Sequence, residues 1–196
     1  MFIMEKNKSL TWYAALGVGV CYLGAVFASC FIGFLSPACW AFFSVLAALL
    51  AVGPYYWISA RWQKFGVGTY CSALVCLFCL ATGEASGLLS KIIILAGGVL
   101  ADCIRFAFGN DTKKALYAAY PLLAIGNIGW IINLWTRPDW YVEGAAEEMG
   151  QSYADGIAAL QHPGVLVICI VVTAVVAVAG VWLTGKVDKK SAKLLK

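Results

Sequence analysis

Asn127, Trp130 and Asn133 stand three residues apart in an apolar run, a spacing that puts two amides and a large ring on one side of a helix. Rings supply contact area and a few amides fix orientation, so the stripe suits a ligand pocket. Trp135 extends it and serves equally as an interfacial anchor. A long segment, residues 136–164, follows directly and adds Arg137, Tyr141, Tyr153 and His162. With Glu84 and Lys91 earlier in the chain, these nine, Trp135 apart, are the candidate substrate-binding residues. Lys91 and Arg137 are placed to neutralise an acidic group on a ligand.

Other chemistries fare worse. Cys76 and Cys79 form a CxxC, but Leu77 and Phe78 between them place it in an apolar helix, where small-residue packing is the simpler reading. Cys30 and Cys39 flank one short turn, and the sequence leaves their pairing open. A lone His162 lacks a set of metal-ligand partners. Glu147-Glu148 matches the paired glutamates of intramembrane prenyl-protein proteases, without the arginine and histidine pairs those need. GxSxG and GxxxxGK[ST] are absent, so neither a serine nucleophile elbow nor a P-loop is present. No enzyme, metal or cofactor is expected. Asp102 and Arg105, three apart, are expected to pair, with Arg105 snorkelling towards water.

The elements that must position these residues are membrane helices. The chain is 62% hydrophobic and 12% charged, with a mean hydropathy of +0.84, outside the range of soluble domains. Apolar runs fall at about 10–34, 40–60, 66–82, 88–108, 115–135 and 165–184, most near the ~20 residues a spanning helix needs. The first is too long for the ~7–15-residue core of a cleavable signal peptide. Cations collect between alternate runs: Lys6 and Lys8; Arg61 and Lys64; Arg105, Lys113 and Lys114; then Lys186, Lys189, Lys190, Lys193 and Lys196. Only Lys91 and Arg137 fall elsewhere. Short basic loops stay cytoplasmic, so the expectation is an all-α, six-span bundle in residues 1–196 with both termini inside. The net charge of +4 reflects that pattern and points to no nucleic-acid partner.

Turns are short except one. Leu35-Ser36-Pro37-Ala38 joins the first two runs, Gly53-Pro54 predicts a kink in the second, and Gly83 to Gly87 joins the third and fourth. Within the long outer segment 136–164, residues 145–161 read as an amphipathic helix with Met149, Tyr153, Ile157 and Leu160 on one stripe. A lid and a lipid-surface anchor are both compatible with that pattern, though its acidic face (Glu147, Glu148, Asp155) argues against anionic headgroups.

The first run is dense in small residues, with Ala15/Gly19, Cys21/Ala25 and Ala25/Ser29 spaced four apart, which lets a second helix approach closely. Ala15 and Gly19 are therefore the candidate partner-binding residues. With the junction Tyr55-Tyr56-Trp57-Ile58-Ser59-Ala60-Arg61-Trp62-Gln63-Lys64-Phe65-Gly66 and the ending Ala101-Asp102, the chain resembles the S components of energy-coupling factor (ECF) transporters, within them the MptD-type or Trep-Strep group.

The resemblance implies a substrate-binding subunit of the bacterial plasma membrane. It would work with a membrane coupling subunit and two ATPase subunits in ATP-driven uptake. The substrate class implied is a vitamin-like or cofactor-like micronutrient with a flat apolar part, a tetrapyrrole such as haem among the candidates. The alternatives are a self-sufficient small transporter or channel, or a membrane enzyme or assembly factor. One departure stands out: S components commonly carry a lid in the first outer loop, whereas here the long loop follows the fifth run.

Overall fold

The computed structural model describes residues 11–82 and 87–196. Lys6, Lys8, the first residue of the opening run and the turn carrying Glu84 lie outside the described residues. The described chain is helical without strands. Helix α1 spans Trp12–Gly33, α2 Pro37–Ala41, α3 Phe43–Arg61, α4 Val67–Ala81, α5 Gly87–Phe108 and α6 Lys113–Gly126. A 3₁₀ turn, Asn127–Ile131, leads to α7 (Asn133–Thr136), α8 (Pro138–Met149), α9 (Gln151–Ala158), α10 (Pro163–Val187) and α11 (Lys189–Ala192).

Four of these, α1, α3, α5 and α10, are long and apolar enough to cross a bilayer. The other two expected spans differ from the sequence reading. Helix α4 has 15 residues, or about 22 Å at 1.5 Å each, short of the ~30 Å hydrocarbon core. The run 115–135 is not one helix but α6, the 3₁₀ turn and α7 in series. Helix α3 continues as one element through Gly53-Pro54.

Neighbours form a ring: α1 packs on α3, α3 on α10, α10 on α6, α6 on α5, α5 on α4, and α4 returns to α1. Helix α3 also meets α6 across the middle, and Ala47, Ala48, Ala51 and Tyr55 on it are fully buried. The tightest seam is a pair of glycines on α5. A Cβ at Gly97 would lie 2.7 Å from the Gly126 Cα of α6, and one at Gly98 would lie 2.5 Å from the Gly68 carbonyl of α4. Two helices thus approach α5 backbone to backbone, on a pair no wider than two residues. Polar links cross the interior: Ser44 and Thr173 hydroxyls meet at 2.8 Å, and Tyr120 donates to the Ala48 carbonyl at 2.6 Å.

The end of the bundle that carries Arg61, Asp102 and the C-terminal segment, here called the base, departs from the expected pairing. Asp102 and Arg105 are both fully buried, and their hydrogen bonds go to other groups. The Asp102 carboxylate accepts from the Gly68 and Thr69 amides, each at 2.8 Å, and from the Thr69 hydroxyl at 2.7 Å. It therefore caps the first turn of α4, whose free N–H groups favour an anion. Arg105 donates to the carbonyls of Ser59, Trp62 and Asn110 at 3.0–3.2 Å instead of snorkelling. Arg61 reaches the Ser191 hydroxyl at 2.8 Å, and Gln63 the Leu194 carbonyl at 2.7 Å, so the last residues fold back across the base. No disulfide joins any of the eight cysteines, so Cys30 and Cys39 do not pair.

Candidate binding site

At the opposite end a cavity of about 530 Å³ opens between α1, α4, α8 and α9. Its size falls within the ~300–1,000 Å³ usual for small-molecule sites. One wall is a stripe of phenylalanines on α1: Phe27, Phe31 and Phe34, at intervals of four and three. Phe78 of α4 meets Phe27 edge-on at 5.0 Å, and Trp40 stacks on Phe34 at 5.0 Å. The floor is Trp130 with Asn133. Trp130 comes from the 3₁₀ turn and Asn133 from the first position of α7, and both line the cavity.

The cover is the long loop, and it differs from the expected helix 145–161. Pro138 at the first position starts a helix seven residues earlier, and Gly150, at φ 89°, breaks it. The result is two helices. Met149, Tyr153 and Ile157 of the expected stripe line the cavity, and Leu160 packs beside it. Helix α9 is firmly seated: Ile157 clusters with Ala41 and Leu134, and a Cβ at Gly156 would lie 2.6 Å from Pro37. Tyr153 donates to the Gly33 carbonyl at 3.2 Å. Burial, with Cys39 beside it, pushes that hydroxyl up to about 12, so it is a neutral donor at ordinary pH. Helix α8 buries none of its residues fully. It is held by Trp40, whose indole N–H donates to the Tyr141 hydroxyl, and by Gln161, whose amide donates to the Pro138 carbonyl at 3.2 Å.

A family model described as "Hypothetical bacterial integral membrane protein (Trep_Strep)" matches residues 16–193. The chain belongs to this family. The family's description and the four long apolar helices make this Trep_Strep chain a multi-pass membrane protein of bacteria. Comparison with curated proteins and with solved structures finds no match.

Of the residues singled out in this Trep_Strep sequence, the structure brings Trp130, Asn133, Tyr141 and Tyr153 to one cavity. Others stand elsewhere. Asn127 is buried below it, hydrogen-bonded with Tyr22, and serves the core. His162 is exposed and caps α10, its Nδ1 accepting from the Gly164 amide at 3.0 Å. Arg137 is exposed with its guanidinium 4.9 Å from the Trp140 ring centre, and it does not line the cavity. Neither does Lys91, half-buried on α5 with its carbonyl facing the Cys76 thiol. Glu84 lies outside the described residues.

The two candidate partner-binding residues are also corrected. A Cβ at Gly19 would lie 2.2 Å from the Tyr70 hydroxyl, and that hydroxyl donates to the Ala15 carbonyl at 2.9 Å. Both therefore belong to the packing of α1 on α4, while Leu16, Gly17 and Val20 face outward.

Sequence reasoning missed the phenylalanine stripe, Trp40, Phe78 and Glu148. The stripe had a signal in its spacing, masked by the small residues around it. Glu148 had none: on a helix 145–161 it reads as part of the watered face, whereas on the separate helix α8 it shares the cavity-lining face with Tyr141, Gly144 and Ala145.

Proposed function

We propose that this chain is the substrate-binding S component of an ECF-type importer. In this reading the six apolar runs cross the plasma membrane, α4 and the broken α6–α7 run included. Both termini lie in the cytoplasm. The base carries ten of the described cations, while Asp139, Glu143, Glu147, Glu148 and Asp155 gather at the cavity end, which agrees with a cytoplasmic base. The cavity under α8 is the observation that carries the reading, because a helix buried at no residue is a cover suited to opening for a solute. The partners are a membrane coupling subunit, met by the outward face of α1, and two ATPase subunits. They supply the energy that a chain without a nucleotide motif lacks.

The test is affinity purification of the chain from its native membrane in mild detergent. Recovery of a coupling protein with two ATPases in fixed proportion is the expected result. Uptake by the chain alone in liposomes, with no such complex recovered, sinks the proposal in favour of a self-sufficient carrier.

A further inference from the structure

Resting on the reading of this cavity as a substrate site, we infer that its ligand is an organic cation: a quaternary ammonium or positively charged heteroaromatic group on a compact apolar body. Among the described residues that line the cavity, Glu148 alone carries a charge, and it is negative. The rest of the lining is dominated by rings. Trp40, Trp130, Trp140 and Tyr141 line it, and they are the ring types whose quadrupoles attract cations. One of them already does so: Trp140 holds the Arg137 guanidinium, 4.9 Å from its centre. The surroundings agree, because the exposed carboxylates of Asp139, Glu143, Glu147 and Asp155 raise the local concentration of cations at this end.

An anion is poorly served by the same walls. It needs donors, and two of those here are committed to the protein: the Trp40 indole to Tyr141, and the Tyr153 hydroxyl to the Gly33 carbonyl. It also needs a basic partner, and neither Arg137 nor Lys91 lines the cavity. A carboxylate or phosphate placed here would face Glu148 with little to offset the repulsion. That disfavours a molecule bearing acidic side groups, such as a tetrapyrrole with propionates, and favours one whose charge is positive.

Three probes of matched shape test the charge: benzyltrimethylammonium, its uncharged carbon isostere neopentylbenzene, and the anion phenylmethanesulfonate. Each is titrated against the full chain in phosphatidylcholine nanodiscs at low salt, with tryptophan fluorescence as the readout. The cation is expected to bind about tenfold or more tightly than the isostere, the range a desolvated cation–π site gives, with the anion weakest. Glu148→Gln should lower that preference severalfold, the rings retaining the remainder, and leave the isostere's affinity unchanged. Glu148 is exposed on a helix with no fully buried residue, so an unaltered thermal midpoint is expected as the folding control. Equal binding of cation and isostere, or a preference unchanged in size by Glu148→Gln, overturns the charge assignment while the pocket stands. Binding of none of the three, or binding indifferent to Trp130→Ala, overturns the pocket itself.

Discussion

The two ends of the bundle are built on opposite principles. At the base, buried charges are tied to backbone: Asp102 takes three hydrogen bonds from the start of α4, and Arg105 gives three to carbonyls of α3, its following turn and the loop after α5. At the cavity end the surfaces are rings, the space between them is open, and α8 rests on few polar links. A charge without partners in an apolar interior is costly, so each base residue fixes its neighbours in one arrangement. Ring walls fix nothing so strictly, since apolar contact is non-directional. The contrast teaches that rigidity and compliance are segregated by chemistry along the helix axes, with the compliance where a solute would enter.

That contrast is open to breakage at several points. The largest effect belongs to the base: Arg105→Ala should cost about 3–5 kcal/mol, because it strips three carbonyls of their donor, at about 1–3 kcal/mol for a buried group left unsatisfied, and opens a cavity. It is measured as a fall in thermal midpoint in detergent. A smaller fall than any single cavity variant gives would reverse the comparison. Next comes the glycine seam, where Gly98→Leu should cost about 1–3 kcal/mol by overpacking. Gly24→Ala, which has nothing within 4 Å of its new methyl, should stay within about 0.5 kcal/mol.

Amide hydrogen exchange sharpens the contrast within the cover. Amides of α9, seated through Ile157 and Gly156, should exchange at least about tenfold more slowly than those of α8, because a segment that buries little apolar surface opens locally at little cost. Equal rates would show that α8 and α9 move as one piece.

The smallest effect is a pH dependence of the base. Burial alone would raise the Asp188 carboxyl, but hydrogen bonds from Ser191 and the nearby Arg61 charge hold it below the usual carboxylate value. A depressed value means the folded state prefers the ion. Its stabilisation is complete above the ordinary carboxylate range and is lost as pH falls through the lowered value. Asp188 is only partly buried and water screens it, so the effect should stay under about 1 kcal/mol. Loosening of residues 188–196 below about pH 4, absent in Asp188→Asn, is the expected observation.

Much of the positioning was legible in the chain. Hydropathy marked every long helix to within a few residues, because apolar periods of that length have few other uses. The spacing of Trp130 and Asn133 pointed to a shared face, and Tyr141 and Tyr153 meet them. What stayed hidden depends on tertiary partners. Nothing local announces that Asp102 faces the start of α4, 34 residues earlier in the chain, or that Arg105 turns inward. The short α4 and the break after Gly126 are matters of backbone hydrogen bonding, which a hydropathy window does not see. Pro138 and Gly150 did carry readable signals for the start and end of α8. The amphipathic stripe, which runs across that break, outweighed them.

The Asp102 cap has a consequence for biosynthesis. Helix α4 emerges from the ribosome before α5, and it emerges incomplete: too short to span by itself, with the amides of its first turn awaiting an acceptor. Packed away without that acceptor, those amides would be left unsatisfied, so the segment gains little by inserting alone. Its acceptor arrives only when residue 102 has been made and threaded to the same depth. The two helices should therefore enter the membrane as a hairpin, with α4 held back at the translocon until its partner is synthesised. A single carboxylate would thereby couple the entry of one helix to the synthesis of the next.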